Sequence, residues 1–287
     1  DDVRGIFGAL GQSLVLTAYD LFEHTMPALF SNGWRNMSPS EETSRRLEQL
    51  PGLYADELSA QICRSVEAWR YRRELLSDYP VAPEDDKYDL GLMGRGGTHY
   101  DVVYDCGSFD LGLLDSLSKA EVSFGSMIAF EPDPRNRARC LAMLEQMRPE
   151  QADRIIGDPR ALSEHTHVHH FVANGQLSAR IVPASLATHP DHLSVECCTL
   201  DAVHGSLADE SDRVLIKLHI EGSEPSALAG AMQMLTKTRA DLLINMSHDE
   251  RSLLEIPEVL AATGRFDIFL RSHSLFGEGL TLFARHR

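Results

Sequence analysis

Three short segments carry residue types that can do chemistry together. In VVYDCGSFDLG, 102–112, an apolar run ends in Asp105 and turns through Gly107 and Ser108 into a helical pattern. A residue without a side chain lets the backbone approach a ligand closely, and the following helix start favours negative charge. In AFEPDP, Glu131 ends a second apolar run 26 residues after Asp105, with Asp133 beyond it. An acid at the end of the second strand is where nucleotide-binding α/β folds bond ribose hydroxyls. Asp105, Gly107, Ser108, Glu131 and Asp133 are therefore the expected wall of a nucleoside-cofactor site. In IKLHIEGSEPSALAGA, 216–231, a strand period of two places Lys217, His219 and Glu221 on one face. Polar groups there are costly to bury without partners or a task. Glu221 and Glu224 also suit a helix N-terminus, where a carboxylate meets the positive end of the dipole.

Other candidates carry less. HTHVHH, 165–170, alternates His165, His167 and His169 on one strand face. A metal site needs ligands from more than one segment and a supporting shell, so a solvated hairpin face is expected and no metal centre. Arg70, Arg72 and Arg73 read as a solvated helix face, and Cys106 as a packed small side chain.

The elements that must position these residues are legible from their periodicity. SPSEETSRRLEQL offers Ser38 as N-cap, Pro39 at the first helical position and Glu41 at the third. A second helix carries Leu58, Ile62, Val66 and Trp69 on one apolar stripe. Residues 80–99, rich in Pro, Gly and acid, read as a linker or ordered loop. From residue 100 strands and helices alternate. The runs at 101–105, 127–131, 214–220 and 241–247 read as strands, and Asp133 and Pro134 cap and start a helix through Met147. Residues 165–198 suggest hairpins. EPSALAGAMQML predicts one helix with Leu228, Met232 and Leu235 on a face, and Ser247 with Glu250 a second capping box. Two β runs around Gly277-Glu278-Gly279 close the chain as a hairpin. The pattern implies an α/β fold, a mostly parallel sheet covered on both faces with an antiparallel C-terminal hairpin. Two regions are expected: residues 1–97, helical with a linker, and 98–287, the domain bearing every paired motif.

Composition narrows the function. With 27 Lys and Arg against 43 Asp and Glu, the 287-residue chain carries a net charge of −16. Phosphate neutralisation dominates nucleic-acid affinity, so DNA and RNA are not expected partners. No apolar run approaches the roughly 20 residues of a membrane span, and no basic segment precedes an apolar core as in a signal peptide. Five cysteines without a CxxC pair read as reduced thiols in the cytoplasm.

Taken in order, these motifs resemble the FkbM-type S-adenosylmethionine-dependent methyltransferases. That family shows a D-x-G-A-n-x-G-like turn, an F-E-P-x-P strand end, a T-L-D segment and I-K-x-D-x-E-G-x-E-x-x-x-L-x-G-A. Here stand Asp105-Cys106-Gly107, Phe130-Glu131-Pro132-Asp133-Pro134, Thr199-Leu200-Asp201, and Lys217 through Gly230-Ala231. MSHDERSLLEIP, with His248, looks like the histidine segment of the family's bacterial branch. The resemblance covers residues 100–287 and, more weakly, the DELS segment at 56–59. It implies a Rossmann-like class I methyltransferase sheet of order 3-2-1-4-5-7-6. It also implies S-adenosyl-L-methionine as cofactor and methyl transfer to a hydroxyl of a small molecule or glycan, a sugar or secondary metabolite.

Two departures stand out. Leu111 replaces the last Gly of the first turn, or that Gly is displaced to Gly112; the replacement would tighten the pocket near the methionine part. His219 replaces the Asp of the central strand. Lys217, His219, Glu221 and His248 are the expected catalytic residues, with His219 as general base. Its loss would cost roughly 10²–10⁴-fold in turnover, and the direction of its pKa shift is open. The helical region is expected to support the acceptor site or a homodimer contact. The rivals are a degenerate methyltransferase-fold scaffold and a nicotinamide-dependent oxidoreductase; for the latter, GxGxxG is missing.

Overall fold

The computed structural model describes residues 39–287 apart from 73, 75–78, 83–86, 89, 94–96, 177–178, 185–189, 208–211, 249 and 275–278. Helix α1 (Glu41–Gln49) is capped two residues later than expected. Ser38 lies outside the described residues, and Ser40 takes the role: its backbone is extended and its Oγ accepts from the Thr43 N–H at 3.1 Å. Glu41 is thus the first helical residue instead of the third.

Helix α2 (Glu57–Arg72) buries Ile62, Val66 and Trp69 as its spacing predicts. Leu58, in the first turn, is 41% exposed and leaves the stripe. Arg70 corrects the solvated-face expectation, being buried where four-residue spacing carries the Ile62–Val66 stripe onward. Arg72 does lie at the surface, paired with Glu67 and Glu74, and Arg73 lies outside the described residues.

In chain order, β1 (His99–Cys106), α3 (Leu113–Lys119), β2 (Ser123–Phe130), α4 (Pro134–Leu144), α5 (Pro149–Ala152) and β3 (Ile155–Asp158) follow. Next come β4 (Ala161–Leu162), β5 (His167–Val172), β6 (Arg180–Ile181), β7 (His192–Cys198) and α6 (Leu200–Leu207). The chain closes with β8 (Arg213–Leu218), α7 (Glu224–Ala229), α8 (Met232–Lys237), β9 (Arg239–Asn245), α9 (Glu250–Ala262), β10 (Phe266–Ser272) and β11 (Leu280–His286).

The main sheet has the order β3-β2-β1-β8-β9-β11-β10. Its pairings are parallel except for β11, antiparallel to both β9 and β10. With the inserted strands set aside, this is the order 3-2-1-4-5-7-6. The insertion β4–β7 forms its own sheet, β4-β7-β5-β6, with antiparallel β5–β7 and β5–β6 pairs where hairpins are expected.

Strand alternation divides the core. Val102, Tyr104 and Cys106 with Val214, Ile216 and Leu218 face one cluster, while Val103 and Leu215 face another. Leu47, Leu50, Ile62, Cys63 and Val66 belong to the first cluster, so the described N-terminal helices and the sheet share one core. The docking is also polar. Ser59 Oγ accepts from the Leu270 N–H and the Arg271 guanidinium, both at 2.9 Å, and Arg271 pairs with Asp56 at 2.7 Å. Burial raises the Asp56 carboxyl, but the bonds from Arg271 and Ser59 outweigh it and hold the group below its ordinary range. Ser59→Ala leaves the buried Leu270 N–H without that acceptor and should cost about 1–3 kcal/mol. A urea midpoint equal to that of the parent chain would show that this contact does not bind α2 to the sheet.

Three further differences have local causes. The helix predicted over 224–235 breaks at Gly230 and Ala231, because Gly230 packs on the Ser163 carbonyl; a Cβ there would lie 2.3 Å from that oxygen. Helix α4 ends at Leu144, short of Met147. Ser247 Oγ accepts from the Leu280 N–H of β11 at 3.0 Å, and the Glu250 side chain of the expected capping box lies outside the described residues.

Candidate functional site at the carboxyl edge of the sheet

The first wall is built where β1 leaves the sheet between the ends of β2 and β8. The Gly107 and Ser108 N–H groups both donate to the Phe130 carbonyl, and the His219 N–H donates to that of Cys106. Gly107 has φ +79°, and a Cβ on it would sit 2.0 Å from the His219 carbonyl oxygen. Only glycine fits here. Beneath the turn, Lys217 Nζ donates to Asp105 Oδ1 at 2.9 Å and to the Gly107 carbonyl at 2.6 Å. Burial opposes the Lys217 charge, but adjacent Asp105 outweighs it and raises the ammonium pKa. Asp105 Oδ2 is buried with no hydrogen-bond partner among the described residues, and Asp105, expected in the cofactor wall, does not line the cleft. Cys106 is packed in the core, its thiol pushed up first by burial.

Glu131 stands just past β2. Its Oε2 accepts from the Phe109 N–H at 3.0 Å and its Oε1 from the Asp133 N–H at 2.9 Å. Burial nevertheless raises its pKa. The Asn136 side chain also bonds the carboxylate, whose roughly four lone-pair sites still leave one for a hydroxyl donor. Asp133 is the helix cap expected of it but is corrected as a cofactor residue: its Oδ1 accepts from the Arg135 N–H and its Oδ2 from the Gly175 N–H, both at 2.7 Å. It is fully buried as the α4 cap and does not line the cleft. Leu111 is corrected too. Its φ of +62° keeps a conformation that glycine adopts freely, yet its side chain packs into the core beside Leu90 and Met93, away from the cleft.

The opposite wall departs most from expectation. Strand β8 stops at Leu218, so strand alternation does not align Lys217, His219 and Glu221. A tight turn does, with φ +57° at Glu221 and +100° at Gly222. Fully buried Glu224 holds it, accepting from the Ile220 and Gly222 N–H groups at 2.8 Å each. Glu224 also meets His248 Nδ1 at 2.6 Å. The other edge of that ring, Nε2, lies 3.1 Å from Glu221 Oε1, and His219 Nε2 lies 3.6 Å from the same oxygen. His219 Nδ1 is 2.9 Å from the Tyr88 hydroxyl.

These surroundings separate the two imidazoles. Burial, then the charges of Lys87, Lys217 and His248, push His219 well below its ordinary pKa, which settles the direction left open by the sequence. Burial would lower His248 as well, but Glu224 and Glu221 raise it to about 10. Glu224, despite burial, is held below its ordinary range by His248.

Both walls open on one cleft, lined among others by Gly107, Ser108, Phe109, Glu131, Lys217, His219 and Glu221. Lys87 and Tyr88 line it from the segment read as a linker, and Phe171 and Ile181 from the small sheet. Sequence reasoning missed these four; Tyr88 was signalled only as the one Phe, Tyr or Trp among residues 80–99. The alternating histidines do not join the site. His165 precedes β5, the His167 and His169 ring centroids lie 5.1 Å apart with the rings tilted by 59°, and His170 Nδ1 meets His192 Nε2 at 2.8 Å. No helix among the described residues is long and apolar enough to cross a membrane.

Strand order, the antiparallel last hairpin and a cleft at the carboxyl ends define a Rossmann-like class I methyltransferase fold. The chain is similar in structure to the methyltransferase FkbM from Methylobacillus flagellatus KT, with a TM-score of 0.65 and 21% identity over 85% of this chain. It spans 59% of that relative's length. The likeness expected from the motifs is met in the fold. Precorrin-6y C5,15-methyltransferase from Geobacter metallireducens matches more loosely, at TM-score 0.40 and 12% identity over 74% of this chain and 97% of that one. No protein-family model and no curated protein sequence matches the chain.

Proposed function

We propose that the chain is an S-adenosylmethionine-dependent methyltransferase of the cytoplasm, acting on a hydroxyl oxygen of a sugar or secondary metabolite. The observation that carries this reading is the single cleft that joins the Gly107–Glu131 wall to the His219–Glu221 turn. The residues of the first wall fit the cofactor: a glycine turn that no Cβ can fill, and a Glu131 carboxylate that keeps a lone pair for a hydroxyl. The bound cofactor supplies an electrophilic methyl carbon, whose bond to sulfur breaks as the bond to the acceptor oxygen forms. The protein must then orient the hydroxyl and receive its proton, and orientation supplies much of the rate. His219 and Glu221 line the cleft, and neutral His219 has a lone pair for that proton. Five free, buried thiols support a reducing compartment.

Calorimetry with S-adenosylhomocysteine and with NADH tests the reading. The homocysteine ligand should bind, and Glu131→Ala should weaken it by about 1.5–3 kcal/mol, the range for a hydrogen bond to a charged group. Equal affinity in the variant would remove Glu131 from the site. Binding of NADH alone would point to an oxidoreductase, and binding of neither to a scaffold.

A further inference from the structure

We propose that His219 Nε2, Glu221 Oε1 and His248 Nε2 form a three-ligand site for a divalent transition metal at the acceptor side of the cleft. The three residues offer ligand atoms that lie within 4.8 Å of one another. Glu221 Oε1 is 3.1 Å from one imidazole nitrogen and 3.6 Å from the other. Ligands about 2.0–2.2 Å from a tetrahedral zinc ion stand roughly 3.3 Å apart, so the cluster needs only a small closure to hold one. Two imidazoles with one carboxylate leave coordination positions open, the arrangement of a catalytic rather than a closed structural centre.

The supporting shell is the second observation. A metal-bound imidazole normally gives its other nitrogen to a carboxylate or another polar group, which fixes ring orientation. Both rings have that here. His248 Nδ1 faces Glu224 Oε1 at 2.6 Å, and Glu224 is itself held by the Ile220 and Gly222 N–H groups. His219 Nδ1 faces the Tyr88 hydroxyl at 2.9 Å. The left-handed backbone of Glu221 carries its carboxylate back toward both rings. The ligands come from two segments, which the alternating histidines at 165–170 do not, and the site goes against the expectation of no metal centre.

The role follows from the position, and only the role rests on the reading under Proposed function. A metal open to the cleft acts as a Lewis acid toward the acceptor hydroxyl and makes it more acidic. His219 Nε2 is then a ligand, and the hydroxyl proton passes to water in the cleft. Metal uptake itself displaces the His248 Nε2 proton to solvent.

Cobalt(II) titration of the full, tag-free chain tests the site without any methyl transfer. About one equivalent should bind and give visible absorption of a low-coordinate centre, and zinc(II) should abolish it by displacement. His219→Gln and Glu221→Gln should each weaken cobalt binding by 10-fold or more, while His170→Asn, in the half-buried His170–His192 pair, should not. Circular dichroism and S-adenosylhomocysteine calorimetry on the same samples show whether each variant is folded. No visible band in the parent chain, or a band unchanged in both folded glutamine variants, would overturn the proposal. Cobalt binding without S-adenosylhomocysteine binding would keep the metal site and remove the methyltransferase reading; the reverse would do the opposite.

Discussion

Gly107→Ala should destabilise the protein by more than about 4 kcal/mol, in the range reserved for strained or clashing core positions. Two costs combine. At φ +79° an L-residue pays roughly 1–2 kcal/mol for the left-handed backbone alone. The added Cβ then meets the His219 carbonyl oxygen at 2.0 Å, a backbone atom that no rotamer can move. Relief requires parting the ends of β1 and β8, which are joined there by the His219 N–H bond to the Cys106 carbonyl. That movement displaces the His219–Glu221 turn, so both walls of the cleft are lost together. Gly205→Ala is the matched control. Gly205 lies inside α6 with nothing near its added Cβ, and Ala should stabilise that helix by about 0.5–1 kcal/mol. Urea unfolding reads both variants. A Gly107→Ala midpoint close to the parent's would mean that the β1 turn is free to adjust and does not lock the cleft.

What could be read in the sequence follows from which interactions are local. The strands announce themselves by period and length, and Val102, Val103 and Tyr104 divide between the two cores as alternation requires. The motif positions Gly107, Glu131, Lys217, His219 and Glu221 do line one cleft. The reason given for the last three was wrong, however: β8 ends one residue before His219, and Glu224 bends the chain through two left-handed residues. Local periodicity does not reveal a carboxylate four residues ahead that captures two N–H groups. Nor does it reveal Tyr88, which reaches His219 across 131 residues of chain. Asp133 was misplaced for a related reason. A cap and a cofactor ligand use the same residue types at a strand–helix junction, and the Gly175 N–H that occupies its second oxygen comes from the inserted sheet region. The inserted strands supply Phe171 and Ile181 to the cleft through the same kind of distant contact.

Asp105→Ala should cost about 3–5 kcal/mol, because it strands a buried ammonium. Asp105 and Lys217 are 1% and 6% exposed in their side chains, so water cannot replace the lost carboxylate. What remains for Lys217 Nζ is the neutral Gly107 carbonyl and the face of the Tyr88 ring, whose centroid is 5.9 Å away. The cost therefore reflects an uncompensated charge more than the worth of the pair. Replacing a buried pair by apolar groups of similar volume is often neutral, since both desolvation penalties vanish with the attraction. The double variant Asp105→Leu with Lys217→Met should accordingly recover most of the stability lost in Asp105→Ala. Recovery in urea unfolding would define this pair as a device that positions the Gly107 turn, with Lys217 acting through that turn. The double variant should then still bind S-adenosylhomocysteine with an affinity close to the parent's, because Asp105 does not line the cleft. A double variant as unstable as Asp105→Ala would show that the ion pair itself holds β1 to β8. A stable double variant with no measurable ligand affinity would instead place the Lys217 charge against the ligand.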